Sequence, residues 1–465
     1  MPQTAASLFD ELPEQAVPAR DPGAARITRA YRGDVRFEQF VFDDLIAQDH
    51  QARSIWLWLE REDFSELEEE VKARDHEPGR PASDPRVLLA LWMYGHVTGV
   101  ASARHLERPS ENENAFRWLR GGVPLNHRML SEARWAGAGL LDRMLKRTVA
   151  AMRAAGLLDM TTVAQDGIRV RASAGESSYR RVGSLAELLK QARERQAFLD
   201  AEAVTNPGAQ EARVRGARER AARELVERTE AAHARATAMA AAQAEEEARQ
   251  AAIKRRVSKD KDGKPKAPKV ARKKEPRVST TDAEARVMRM ADGGYRPAWN
   301  VQVTSDVGSG MVLAVSIDAT GSDGGLMGPA AGVIEERYGE TPERWLADGG
   351  YTKLDDIEAL SAMGIEVFCP AKPPRNPKND PAVRRPGDTP AIAAWRVRMA
   401  RQRGESEIDW MRRRAECERI HANFRKQGLR QFNVRGRYKV GVVALMHALA
   451  NNIVTAIRLL ALQAA

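Results

Sequence analysis

The sequence predicts an α/β core on a mixed five-stranded sheet with flanking helices, preceded by an all-α domain and interrupted by a long helical hairpin. Three observations carry this. Residues 43–155 keep a helical pattern throughout. Beyond residue 158, short β-branched runs alternate with helical segments, as in a sheet packed between helices. Between the first and second of these runs, residues 184–256 are rich in Ala, Glu, Arg and Gln, all good helix formers apart from their order.

Residues 1–37 read as a loop segment, with Pro and charge but no sustained period. The helical domain spans 38–157. In it, residues 54–67 mix Trp56, Trp58, Leu59 and Phe64 with acids. Asp84-Pro85 is a helix start, since Asp can cap and Pro fits the first turn. A further helix begins near Ser102, and Asn126 and Ser131 punctuate before a long helix through Leu140, Leu141, Met144 and Met152. The several Arg residues make this domain a candidate DNA reader.

The core begins at 158–183 with a strand over 161–170 and resumes at 279–465. Residues 299–304 and 311–317 read as a hairpin closed at 305–310. A helix over 326–338, a short strand ending at Asp348, a helix over 355–363 and a strand over 365–368 follow. Two helices finish the chain, one carrying Glu418 and one over 438–462. The insertion, 184–278, breaks at Asn206-Pro207-Gly208 into two antiparallel arms. The second arm would span about 70 Å if continuous. Its tail, 254–277, reads as a flexible basic loop. The arm is a spacer or dimerising coil, and its tail a DNA contact; the two readings are compatible.

Composition narrows the partner. Of 465 residues, 74 are Lys or Arg against 64 acids, a net charge of +10, which suits nucleic acid, an anionic membrane or acidic partners. An apolar run of about 18 residues, which a membrane span needs, is not expected. Residues 1–24 lack the basic start and apolar core of a secretory signal, so a cytoplasmic protein is expected. Cys369 and Cys417 cannot build a zinc site alone and read as packing residues.

Three acids stand in contexts that suit one metal site. Asp166 lies inside the first strand, Asp348 ends an apolar run and opens a Gly349-Gly350-Tyr351 turn, and Glu418 sits on a basic helix. Adjacent first and fourth strands would bring Asp166 and Asp348 together, with the third acid arriving from a later helix. Carboxylates converging from distant segments can hold a divalent cation pair able to cut and rejoin phosphodiesters.

At these residues the chain resembles the DDE transposases of bacterial insertion sequences. Asp166-Gly167 followed by Arg169-Val170-Arg171-Ala172 is similar to the family's first-acid motif, and Ala347-Asp348-Gly349-Gly350-Tyr351 to its second. Gly79-Arg80-Pro81-Ala82-Ser83-Asp84-Pro85, Tyr94-Gly95, Thr98-Gly99 and Ser102-Ala103-Arg104 resemble its N-terminal helical domain. The third motif is Tyr, two residues, Arg, three residues, Glu, six residues, Lys; here its register gives Met411, Arg414, Glu418 and Arg425, with Met for Tyr and Arg for Lys. Gly428-Leu429-Arg430, Val434-Arg435-Gly436 and Ala450-Asn451-Asn452 resemble its C-terminal run.

The resemblance implies an RNase H-like catalytic core. It implies that Asp166, Asp348 and Glu418 hold two Mg²⁺ ions (Mn²⁺ serving as well). It further implies binding of terminal inverted repeats in double-stranded DNA, hydrolysis at the element ends and transfer of the freed 3′-hydroxyl to target DNA. A homodimer or higher assembly on paired ends is expected, with no membrane partner. Alternatives are a metal-dependent nuclease without strand transfer and a DNA-binding remnant without catalysis.

Positions 411, 414, 418 and 425 share one helix face, whereas Glu416, the rival third acid, points about 200° away from Glu418. Arg414 and Arg425 are candidate phosphate clamps, joined by Lys426, Arg169 and Arg171. Tyr351 and His421 are expected behind the carboxylates. Asp292-Gly293-Gly294-Tyr295 repeats the second motif but reads as a turn. Asp306 reads as a hairpin-turn residue and Asp323 as a helix cap. Trp299 and Trp345 are expected in the core, and His127 and Asn423 are weaker site candidates.

Overall fold

A computed structural model describes residues 40–69, 71, 82–136, 138–205, 212–257, 275–371, 383–401 and 408–464. The expected N-terminal loop, the Gly79-Arg80-Pro81 part of the first motif, the Asn206-Pro207-Gly208 break and most of the basic tail lie outside these residues.

The helical region comprises α1 (Gln51–Glu60), α2 (Ser65–Glu69), α3 (Pro85–Thr98), α4 (Ala103–Glu107), α5 (Pro109–Asn112), α6 (Asn114–Arg120), α7 (His127–Ala136) and α8 (Ala138–Ala154). Its caps follow from sequence. The Asp84 carboxylate accepts the Arg86 N–H at 2.7 Å, with Pro85 in the first turn. Asn126 accepts the amides of Arg128 and Met129 at 3.0 Å. Ser131, expected to interrupt the chain, instead lies inside α7, because Asn126 already supplies the cap.

Strands β1 (Thr162–Arg171), β2 (Tyr179–Arg180), β3 (Val278–Ser279), β4 (Arg286–Arg289), β5 (Tyr295–Asp306), β6 (Val312–Asp318), β7 (Arg344–Leu346) and β8 (Glu366–Phe368) follow in chain order. Among the described residues the main sheet has six strands rather than five. Its order is β4-β5-β1-β7-β8, with β6 also on β5. The added strand is β4, which pairs with residues 295–298 of β5 while β6 takes residues 300–305 along the same edge. β1 runs antiparallel to β5 and parallel to β7, and β7 runs parallel to β8. The sheet is therefore mixed, as expected, and β1 and β7 are neighbours, the arrangement that brings Asp166 and Asp348 together.

The insertion is the pair α9 (Val182–Thr205) and α10 (Ala212–Val257). Arg193 meets Glu230 at 2.7 Å and Glu202 meets Arg218 at 3.9 Å, so the arms run antiparallel. The β2–β3 ladder joins the two ends of the insertion at its base. Ala232 and Ala236 of α10 pack there with Leu185 and Val278.

The remaining helices are α11 (Met327–Tyr338), α12 (Leu354–Ala362), α13 (Pro390–Arg401), α14 (Ile408–Lys426) and α15 (Arg437–Ala464). The helix α13 was not expected from sequence. One hydrophobic cluster runs from Ile55 and Leu59 through Leu91, Phe116 and Leu141 to Ala444 and Leu449 of α15, then to Ile168, Val170, Trp299 and Val301 on the sheet. The other sheet face packs Val163, Leu313, Ile334, Trp345 and Ile357. Both faces of the sheet are thus dry.

Contrary to the sequence reading, one apolar helix meets the length and composition of a membrane span: residues 437–463, of which 78% of the apolar window is buried inside the protein. Lys439, His447 and the asparagine pair break its apolar run on paper, yet the helix stays apolar enough because it is the central element of the core. Asn452 there accepts the Val312 N–H and donates to the Val312 carbonyl, both at 2.7 Å, closing the free edge of β6. His447 of α15 meets His96 of α3 with ring centroids 4.3 Å apart, and both rings are fully buried.

Candidate active site beside two parallel strands

The β1–β7 ladder ends at Ala164 opposite Leu346. Asp166 and Asp348 each lie two residues farther on, so parallel pairing carries both past the same end of that ladder, with Asp166 in the middle of β1, which runs on to Arg171. The Asp348 carboxylate is held by its own turn, accepting the Gly350 N–H at 2.7 Å. Its carbonyl accepts from the Cys369 thiol at 2.9 Å.

Alternation along β1 puts Asp166 on the face covered by α14, while Gln165 and Gly167 face the other way. Asp166 accepts the Gly167 N–H at 2.8 Å, and its other oxygen lies 3.7 Å from both Arg414 Nη1 and His421 Nδ1. Burial pushes its carboxyl up to about 6. The Gly167 amide and Arg414 oppose that rise, while Asp348 and Asp323 add to it. His421 is itself buried and lowered to about 4, so at neutral pH it carries no charge to offset Asp166. Cys417, one turn along the same face, is buried against Ser305 Oγ at 3.2 Å. Both cysteines are free and buried, as expected.

Glu418 sits on the flank of that face. Its side chain is 64% exposed, and Arg414 Nη2 reaches its Oε1 at 3.3 Å. Arg414 therefore stands between Asp166 and Glu418. Among the described residues, no three His, Cys, Asp or Glu side chains converge closely enough to hold a metal ion. Glu416 lies on the opposite flank, paired with Arg419 at 2.6 Å beside Gly310. The side chain of Met411 lies outside the described residues.

The basic residues divide. Arg425 and Lys426 are exposed at the end of α14, and Arg171 is exposed on β1. Arg169 is instead spent on the protein: it donates to the carbonyls of Arg289 and Gly321 and pairs with Asp323 at 3.5 Å. Tyr351 is fully buried and donates to Gln302 Oε1 at 2.6 Å; burial, with the three nearby carboxylates, raises its phenol.

The other sequence expectations fall into place. Asp292 accepts the Gly294 amide and pairs with Arg296, a turn between β4 and β5. Asp306 accepts the Ser309 amide at 2.7 Å in the hairpin. Trp299 and Trp345 are fully buried. His127 pairs with Glu107, and Asn423 donates to Asn451. Asp323 departs from expectation. The position before α11 is Leu326, and no side chain caps the helix. The Asp323 carboxylate turns instead into the sheet, accepting from Asn300 at 2.7 Å and Gln302 at 3.1 Å.

Sequence reading missed Gln165, Asn300 and Gln302. The signal was there: Asn300 and Gln302 alternate with Trp299, Val301 and Val303, a polar stripe that reads as a solvent face. All five are buried, so the stripe is an internal polar layer.

The segment 40–135 matches the family model described as Transposase domain (DUF772), and 269–453 matches Transposase DDE domain. Together the matches cover more than half of the chain. The chain belongs to the DDE transposases of insertion-sequence type. No curated protein and no solved structure matches it. A DDE transposase acts on DNA, and the family typically uses a divalent metal. Asp348 and Glu418 lie inside the matched DDE segment; Asp166 precedes it, on the far side of the insertion.

The donor set of this transposase fits such a metal in chemistry. Asp166 and Asp348 offer hard carboxylate oxygens; burial first, and then the nearby Asp348, raise Asp166, and a cation would offset both. Asn300 Oδ1 nearby is buried with no hydrogen-bond partner among the described residues.

Proposed function

We propose that the transposase binds the terminal inverted repeats of its own element, cleaves DNA strands at those ends and transfers them to target DNA. The observation that carries this reading is the approach of Asp166 and Asp348 just past the end of the parallel ladder that pairs their strands. On it, the core is RNase H-like: with β4 set aside, the strand order β6-β5-β1-β7-β8 runs three, two, one, four, five in chain order. Residues 38–157 serve as the DNA-end reader, and two copies hold paired ends.

Asp166, Asp348 and Glu418 hold the divalent cations, Mg²⁺ or Mn²⁺. When bound, these supply an activated water or 3′-hydroxyl and steady the leaving oxygen. Asp166, whose carboxyl burial raises to about 6, is ionised at neutral pH at a cost that a bound cation would offset. Glu418, paired with Arg414 in this structure, would be the third carboxylate on the cations, and Arg414 would then be available to a DNA phosphate. Arg425, Lys426 and Arg171, already exposed, clamp further phosphates. Arg169 stays with Asp323. His421, neutral, orients Asp166 without competing for its charge. The work is done in the cytoplasm, where the DNA lies.

Glu418, exposed and paired to Arg414, also favours a second reading, a DNA-binding remnant that no longer cuts. The test is incubation with Mg²⁺ and labelled duplex carrying the element's ends. Nicked ends and joined products support the transposase, nicking without joining leaves a nuclease, and specific binding without cutting leaves the remnant.

A further inference from the structure

We propose that Asp323 is a positioning residue of this site: its carboxylate anchors a buried hydrogen-bond relay that fixes the stretch of β1 bearing Asp166 and the turn bearing Asp348. The relay crosses four elements. Trp345 Nε1 donates to Gln165 Oε1 at 3.2 Å, and Gln165 Nε2 donates to Gln302 Oε1 at 2.8 Å. Tyr351 Oη donates to the same Gln302 oxygen at 2.6 Å. Gln302 Nε2 and Asn300 Nδ2 then both donate to Asp323 Oδ1, and Arg169 pairs with Oδ2.

Every bond in this series donates toward Asp323. Only an acceptor can end it, and a carboxylate accepts without offering a competing donor. That polarity also fixes which end of the Gln302 amide faces Tyr351. Without Asp323 the amide is free to turn over, and Tyr351 loses its acceptor.

Two glycines show how closely the anchor is seated. A Cβ on Gly167 would lie 2.5 Å from Gln302 Nε2, 2.6 Å from Asn300 Oδ1 and 3.0 Å from Asp323 Oδ1. A Cβ on Gly350 would lie 3.7 Å from Asp323 Oδ2. Asp323 thus fills the gap between the residue after Asp166 and the turn of Asp348. The unpartnered Asn300 Oδ1 faces the same gap.

The effect on cleavage rests on the proposed function; the effect on the two segments does not. The experiment compares wild type, Asp323→Ala, Asp323→Asn and Tyr351→Phe by amide hydrogen exchange over 162–171 and 344–354 and by kinetics of end cleavage. Asp323→Ala is expected to speed exchange in both segments about tenfold while α3 and α8 exchange as in wild type. It lowers kcat about tenfold and leaves KM for the DNA within about twofold. Asp323→Asn keeps the oxygen that accepts from Gln302 and Asn300 but sets an amide donor against Arg169, so both readouts should fall between wild type and the alanine variant. Tyr351→Phe loosens 344–354 alone, and carries the test should the alanine variant unfold. Wild-type exchange in Asp323→Ala and Tyr351→Phe would overturn the relay. An asparagine variant as impaired as the alanine would overturn it in favour of a role for the charge itself. If the wild type does not cut, the proposed function fails and exchange alone decides the relay.

Discussion

Replacing Asp166 by asparagine should make the cation-free protein more stable, although it removes a residue at the centre of the proposed site. In the folded protein, burial moves this carboxyl from 3.8 to about 6, after the Gly167 amide and Arg414 have offset part of the rise. The folded state then binds that proton more tightly than the unfolded chain does. It is favoured at low pH and loses the advantage as pH climbs from about 4 to about 6. Above that window the ionised side chain costs about 3 kcal/mol. Asparagine has the same shape, still accepts the Gly167 N–H and carries no such penalty. Urea unfolding in chelator, from pH 4 to pH 8, reads the difference. Asp166→Asn should exceed wild type by about 3 kcal/mol at pH 8 and match it near pH 4. Added Mg²⁺ should narrow the gap by stabilising the wild type alone. A variant equal to or weaker than wild type at pH 8 would refute the burial argument, and with it the electrostatic case for a cation here.

Gly167→Ala should destabilise the protein by about 1–3 kcal/mol, since its Cβ meets two buried amides; an unchanged urea midpoint would contradict that packing. Asn452→Leu strands the buried N–H and C=O of Val312 and should cost about 2–4 kcal/mol, read by the same unfolding. His447, lowered to about 3 by burial and then by Arg134, must stay neutral to fold, as must His96 beside it. That stability is complete above 6.5 and drains as pH falls toward 3, so His447→Gln should flatten the acid limb of a stability–pH curve by up to about 1.4 kcal/mol per pH unit. An unaltered limb would count against it.

What the sequence disclosed depended on how local the cause was. The Asp84-Pro85 start, the β1 run and the Gly349-Gly350-Tyr351 turn are set within a few residues, and all were legible. The convergence of Asp166 and Asp348 was legible only on the condition that the first and fourth strands pair, which the alternation of strands and helices does not by itself fix. The strand β4 and the helix α13 were not, being short or weakly patterned and held by tertiary contact. Asp323 looked like a cap because a helix follows it, and nothing local says that its carboxylate faces Asn300 and Gln302. The polar stripe of β5 carries the same ambiguity: alternation says that two faces differ, not that one is wet. The helix α15 shows the converse, since its length and apolar character suit a membrane as well as the protein core that buries it.

Whether Asp166, Asp348 and Glu418 form one cation site can be read from a crystal structure of the protein with Mn²⁺ and end DNA, using the anomalous signal of the metal. Metal is expected between Asp166 and Asp348, with the Glu418 carboxylate moved off Arg414 and into its coordination shell. Metal held elsewhere, or bound at the aspartates with Glu416 as the third acid, would contradict it.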